Sequence, residues 1–123
     1  MNRIRYRLGN LIISLLLLNI LGSCIEFDNK GYPQKIVFSY EGGEEQFNGY
    51  EPFMDFSIDS HLSEVEDGYM MLTHEWLTVK QKLGDTKLIL IAQPMTSGKS
   101  RELWIRGNFG REVCDIVVKQ KGK

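Results

Sequence analysis

The apolar residues beyond residue 34 occur in short runs separated by turn-forming residues, and no window shows a helical period. Met54, Phe56 and Ile58 alternate with polar residues, which is the pattern of a strand with one face in water. Residues 88–92 are apolar throughout, which favours a central strand covered on both faces. About seven such runs at this spacing predict an antiparallel β-sandwich, so the fold class is all-β.

The start of the chain has the layout of a secretory signal. Three arginines and no acidic residue stand within residues 1–7, and residues 11–21 are almost wholly apolar. A helix needs about 20 apolar residues to cross a bilayer, and charged residues from Glu26 onward end this run too early. We therefore expect residues 1–23 to form a signal peptide rather than a permanent membrane span.

The segment 21–24, Leu-Gly-Ser-Cys, resembles the lipobox of bacterial lipoproteins, in which a branched apolar residue and two small residues precede the lipid-bearing cysteine. An ordinary secretory site would need a small residue in place of Leu21. The resemblance implies cleavage before Cys24 and several acyl chains on that residue, which makes the membrane a partner. It also implies an outer-membrane lipoprotein. Glu26 and Asp28, soon after the cysteine, resemble the surface-export signals of some such lipoproteins, which implies the cell surface; the periplasmic leaflet is the alternative.

The length of the processed chain sets the number of domains. Removing 23 of the 123 residues leaves 100, which is enough for one small domain. Polar, acidic residues 24–33 are expected to form a tether, and residues 34–122 the β-sandwich. Cleavage also removes three arginines and no acid, so the net charge changes from −1 to −4. This acidic balance gives no indication of nucleic-acid binding.

Short motifs in the second half resemble the BACON domain, the Bacteroidetes-associated carbohydrate-binding often N-terminal domain. They are residues 75–79 (Glu-Trp-Leu-Thr-Val), Gly84, the apolar strand 88–92, Thr96-Ser97-Gly98 before Arg101, and residues 116–122. Phe38 and the turn 41–44 resemble the opening of that family. The resemblance spans about residues 35–122 and implies an immunoglobulin-like sandwich and a carbohydrate ligand. The tryptophan usual in the family's second strand region is missing here, and Phe56 is expected to occupy its core position.

Cysteine and histidine positions give no pattern typical of catalysis or metal binding. With lipid on Cys24, the only other cysteine, Cys114, has no disulfide partner, and its alternating run predicts a buried, inert thiol. His61 and His74 are expected to be isolated, because their spacing fits no metal-ligand motif. Residues 64–67 are expected to form a solvated acidic loop, with a calcium site as the alternative. No catalytic residue, metal or cofactor is therefore predicted, and the chain is not expected to be an enzyme.

Trp104 is the residue that we expect to contact a ligand. Alternation along its strand places it on one face with Glu102 and Arg106, while its neighbours in sequence point to the core. An exposed flat ring beside polar groups is suited to stacking against a sugar. Tyr50 and Phe109 are loop aromatics that are expected to extend this surface. The alternative is that Trp104 packs under a loop.

Two functions follow as expectations. The first is a non-catalytic surface module that binds glycan or mucin as an accessory to polysaccharide capture. The second is a structural or assembly lipoprotein that binds another envelope protein, for instance along an exposed edge strand. Trp76, in contrast to Trp104, is expected to anchor the core.

Overall fold

The computed structural model describes residues 29–123, which form two packed five-stranded sheets without any helix. The strands are β1 (Lys35–Phe38), β2 (Gly43–Asn48), β3 (Asp55–Ile58), β4 (His61–Leu62), β5 (Glu64–Glu66), β6 (Tyr69–His74), β7 (Leu77–Lys82), β8 (Lys87–Ala92), β9 (Arg101–Asn108) and β10 (Val113–Gln120). The predicted all-β sandwich is confirmed. The predicted signal peptide and the lipidated Cys24 lie outside the described residues, and within residues 29–123 no helix is available to cross a membrane.

The strand order agrees with an immunoglobulin-like arrangement. One sheet runs β1-β10-β9-β3-β4 and the other runs β2-β8-β7-β6-β5. The neighbours β10-β9-β3 and β2-β8-β7 correspond to the G-F-C and B-E-D strands of immunoglobulin domains. Two details differ from the prediction. The described chain has ten strands rather than about seven, because strands as short as β4 and β5 show no detectable period, and β1 pairs with β10 in parallel.

The core lies between the sheets. It consists of the inward-facing side chains of strands along which buried and exposed residues alternate. The fully buried apolar side chains include Phe56, Ile58, Leu77, Val79, Leu88, Leu90, Ile105, Ile116 and Val118. Phe56 therefore occupies the core, as expected. Strand β8 is central in its sheet, but Ile89 and Ile91 on its outer face are only half-buried. The prediction that both faces of this strand are covered was wrong, because nothing in the described chain packs fully over the outer face of that sheet.

The packed domain begins earlier in the chain than predicted. Tyr32 is only 3% exposed, and its ring stacks on Phe53 with 4.6 Å between the ring centroids. Asn29 Nδ2 donates to the main-chain oxygen of Asp115 at 3.1 Å. Residues 29–33 thus belong to the domain, so the tether predicted over residues 24–33 extends too far. The reason is that one aromatic residue in a polar segment carries no period by which sequence alone identifies it as core.

A buried glutamine connects this N-terminal segment to the second sheet. Gln81 on β7 is fully buried. Its Oε1 accepts from the main-chain N of Phe53 at 2.9 Å, and its Nε2 donates to Tyr32 Oη at 3.0 Å. The Tyr32 hydroxyl also lies 2.7 Å from the main-chain oxygen of Glu51 and 2.9 Å from that of Thr86. Because every polar atom of the glutamine side chain has a partner, its burial carries no unmet hydrogen bond.

A second polar network lies around Trp76, which is buried as predicted. The Arg101 guanidinium carbon lies 4.7 Å from the centroid of the Trp76 ring, and Arg101 Nε donates to Oε1 of the buried Gln120 at 2.8 Å. Gln120 Nε2 donates to the main-chain oxygens of Ser39 and Gln93 at 3.1 and 2.8 Å. These contacts fix the loop that follows β8 against both sheets.

The Gln81 network gives the first testable prediction. Gln81→Leu is expected to lower the free energy of unfolding by about 2–3 kcal/mol, because the Phe53 N–H loses its buried acceptor. Equilibrium urea denaturation measures this change. Gln46→Leu on the exposed surface of β2 is the matched control and should change stability by less than about 0.5 kcal/mol. Equal effects in the two variants would contradict the role assigned to Gln81.

Candidate functional site

Trp104 lies on the outer face of β9, as strand alternation predicted. Leu103 and Ile105 are buried, while Glu102 and Arg106 share the exposed face with the indole. The tryptophan side chain is 52% exposed. A large aromatic ring therefore meets solvent near the middle of a strand that is paired on both sides.

The edge of the Trp104 ring is fixed by a hydrogen bond. Its Nε1 donates to Glu102 Oε2 at 3.0 Å, and Glu102 Oε1 lies 3.6 Å from Lys119 Nζ on the neighbouring strand β10. The only polar atom of the indole is thus satisfied within the protein. The apolar part of the ring remains exposed to solvent.

An open cleft of about 490 Å³ adjoins the ring. It is lined by Ser57, Asp59, Ser60, Trp104, Arg106 and Asp115. The cleft forms where β3 and β10 flank β9, since Ser57 and Asp115 are both register partners of Arg106. Arg106 Nε donates to Asp115 Oδ1 at 3.2 Å, which holds both charged groups beside the ring. Hydroxyl, carboxylate and guanidinium groups thus surround one apolar surface.

The structure does not bring Tyr50 and Phe109 into this cleft. Tyr50 is 78% exposed but lies in the loop after β2, where its main-chain N donates to the Lys30 oxygen at 2.7 Å. Phe109 stacks on Phe53 with 4.9 Å between the ring centroids and packs against the core. The prediction of Phe109 as a surface aromatic was wrong. Phe53 lies over Gly107, where a methyl group would collide with its ring, and Phe109 extends that aromatic stack.

The histidines that we expected to be isolated lie side by side. The ring centroids of His61 and His74 are 4.7 Å apart. His74 Nε2 lies 2.9 Å from Asp59 Oδ2 and 3.5 Å from Glu75 Oε2. The prediction was wrong because it considered spacing along the chain, whereas two hairpin ends from opposite sheets meet here. Sequence reasoning had no signal for this pair, because the packing of one sheet on the other brings the two turns together.

The sequence predicted a loop over the acidic residues 64–67, but the structure has a strand and a turn there. Glu64–Glu66 form strand β5, and Asp67 and Gly68 make the turn to β6 with positive φ angles of 53° and 81°. Strand β5 is too short to show a recognisable alternating pattern, because Val65 is a single apolar residue between two glutamates. Within the described residues, a group with metal-ligand geometry consists instead of Asp59, His74 and Glu75.

Cys114 is a buried thiol, as predicted, with 5% of its surface exposed. Burial raises the pKa of this thiol to about 11, and the neighbouring Asp115 carboxylate adds to the rise, while a hydrogen bond from the Gly107 backbone opposes it. A reactive cysteine needs an accessible thiolate at neutral pH. Cys114 therefore has a packing role rather than that of a nucleophile.

Comparisons with known proteins identify the fold. The sequence matches no family model and no curated protein. The chain is similar to the NMR structure of a protein from Bacteroides thetaiotaomicron, with 16% identity, a TM-score of 0.52, and coverage of 76% of this chain and 80% of that one. A Bacteroides ovatus GH5 xyloglucanase, solved with an XXXG heptasaccharide, aligns at 15% identity and a TM-score of 0.47, over 73% of this chain and 17% of that one. At such identities the likeness describes the fold alone.

The raised pKa of Cys114 predicts that the stability of the wild type depends on pH differently from that of Cys114→Ala. The folded pKa of about 11 lies above the ordinary value of 9.0, so the folded state holds the proton more tightly than the unfolded state. This contribution to stability is complete below the unfolded pKa and is lost as the pH rises through the folded pKa. The free energy of unfolding should therefore fall more steeply from pH 9 to 11 in the wild type than in Cys114→Ala.

Urea denaturation at each pH value measures this difference. Tyrosine and lysine side chains titrate in the same range in both proteins, so the difference between the two profiles isolates the thiol. Parallel profiles would contradict the assigned pKa.

Proposed function

We propose that this chain is a lipid-anchored, non-catalytic binding module of the cell envelope, and that its ligand is a glycan. The observation that carries the proposal is the half-exposed Trp104 ring, held at its edge by Glu102 and bordered by a polar cleft. The lipid anchor comes from the lipobox-like segment that ends at Cys24.

The chemistry of the cleft matches that of a sugar. One face of a pyranose ring presents C–H groups that pack on an indole, while its hydroxyls require donors and acceptors around the edge. Ser57 and Asp59 supply such groups on one side of Trp104, and Arg106 supplies guanidinium donors. The cleft is open at the surface of a sheet, which favours side-on binding of a polysaccharide over enclosure of a small molecule.

The acidic groups of the cleft have partners that suit binding rather than hydrolysis. A typical glycosidase places two carboxyl groups on opposite sides of the scissile bond, where they act as acid, base or nucleophile. Here Asp115 is bonded to Arg106, and Asp59 lies 2.9 Å from His74 Nε2. These pairings support a non-catalytic role.

The described domain also limits its distance from a lipid on Cys24. Asn29 is already bonded to the domain, and five peptide units join it to Cys24. Five extended residues span at most about 18 Å. A domain so placed would act close to the membrane surface, as an accessory to capture rather than as a long-reaching adhesin.

A second candidate function is binding of another envelope protein. Leu62 on β4 and Val65 on β5 are exposed apolar residues on edge strands of the two sheets. Edge strands have unpaired main-chain groups that can accept a strand from a partner. The apolar side chains favour such an addition on this side of the sandwich.

Glycan binding by the purified full-length protein tests the first function. Binding to an array of polysaccharides is expected, and Trp104→Ala should weaken it at least about tenfold, or about 1.4 kcal/mol, because the stacking surface is lost. Tyr50→Ala is the matched control, since it removes an exposed aromatic ring outside the cleft. Absence of binding to every glycan, together with recovery of a stable protein complex, would favour the second function instead.

The anchor is tested by the distribution of the protein between membrane and soluble fractions. Cys24→Ala should leave the membrane fraction, because the acceptor of the lipid is lost. Cys114→Ala removes the other cysteine of the chain and should stay membrane-bound. A wild-type protein whose intact mass shows an unmodified amino terminus would contradict lipidation.

A further inference from the structure

Two tight hairpins bring three side chains with metal-ligand geometry together at one end of the sandwich, with His61 beside them. Asp59 lies in the two-residue turn between β3 and β4, and His61 follows it on β4. His74 ends β6, and Glu75 lies in the two-residue turn to β7. The first hairpin belongs to one sheet and the second to the other, so the group spans the two layers.

The turns hold these residues in defined positions. Asp59 has a φ of 50° and Glu75 a φ of 55°, which L-residues adopt in tight hairpin turns. Trp76, next to Glu75, is buried beneath the Arg101 guanidinium, which fixes the second turn to the core. Side chains on such anchored turns lose little further freedom when they bind an ion.

The ligand atoms are spaced as a small cation requires. His74 Nε2 lies 2.9 Å from Asp59 Oδ2 and 3.5 Å from Glu75 Oε2, and the three atoms lie within 4.8 Å of one another. Ligands at about 2.1 Å from a tetrahedral zinc ion lie about 3.4 Å from each other. Only small rotations of the two exposed carboxylates separate the observed geometry from that of a bound ion.

His61 lies beside this group, with its ring centroid 4.7 Å from that of His74. Its Nδ1 lies 3.2 Å from the main-chain oxygen of Asp59, and a carbonyl oxygen can only accept a hydrogen bond. Nδ1 therefore carries the proton, and in the neutral ring Nε2 keeps its lone pair.

We propose that Asp59, His74 and Glu75 form a binding site for a divalent transition-metal ion, beside the ring of His61. Imidazole nitrogens together with carboxylate oxygens suit zinc rather than calcium or magnesium, which prefer oxygen ligands alone. The ion takes the place of the proton through which His74 Nε2 bonds Asp59. Bound zinc joins the two sheets at this end of the sandwich.

Titration of the purified full-length protein with zinc chloride, followed by isothermal calorimetry, tests the site. We expect one zinc ion per chain and a rise in the thermal unfolding midpoint of about 5 °C or more at saturation, because zinc binds the folded state alone. Asp59→Asn should weaken zinc binding at least about tenfold without disturbing the turn, since asparagine readily adopts positive φ. Glu75→Gln and His74→Gln should weaken it similarly.

Glu64→Gln is the matched control, because it neutralises a carboxylate on neighbouring strand β5 outside the ligand group. It should bind zinc as the wild type does. Each variant is also unfolded without zinc, so that Asp59→Asn and Glu75→Gln keep the test decisive if His74→Gln fails to fold. Absence of zinc binding in the wild type, or unchanged affinity in Asp59→Asn and Glu75→Gln, would overturn the proposal.

Discussion

The register of β9 between β3 and β10 determines which side chains this sheet exposes on its outer face. Side chains alternate strictly along a strand, so a shift of one residue would bury Trp104 and expose Leu103. Eight register pairs with β10 and four with β3 hold the strand in place. Gly107 fixes the alignment further, because the ring of Phe53 occupies the space that any larger side chain would need there. The exposed ring and its polar surroundings both depend on this alignment.

Features that follow from a local period could be predicted from the sequence. Alternation placed Trp104 at the surface and Cys114 inside, and together with the family resemblance it placed Phe56 in the core. Contacts between distant segments could not be predicted in this way. In the sequence, Gln81 is simply a polar residue on a strand. It is nevertheless fully buried, because Tyr32, 49 residues earlier in the chain, supplies a hydrogen-bond partner. The pairing of His61 with His74 likewise depends on the packing of two sheets, which no spacing along the chain encodes.

The residues that carry the resemblance to the BACON domain stabilise the fold of this chain. Trp76, Arg101 and Gln120 come from three separate motifs and meet in one network that holds the loop after β8. None of them lines the cleft beside Trp104. Such motifs are therefore evidence for the sandwich fold rather than for the identity of a ligand. The ligand must be inferred from the outer face of β9, where the side chains are free to differ without cost to the core.

The cleft and the metal-ligand group meet at Asp59. Its side chain lines the cleft beside Trp104 and also lies 2.9 Å from His74 Nε2. An ion held there would lie at the border of the cleft and add a positive charge beside the surface proposed to bind glycan. Trp104 nonetheless belongs to the cleft alone, and Glu75 belongs to the metal-ligand group alone. Because each function has a residue that the other does not use, loss of one by substitution leaves the other measurable.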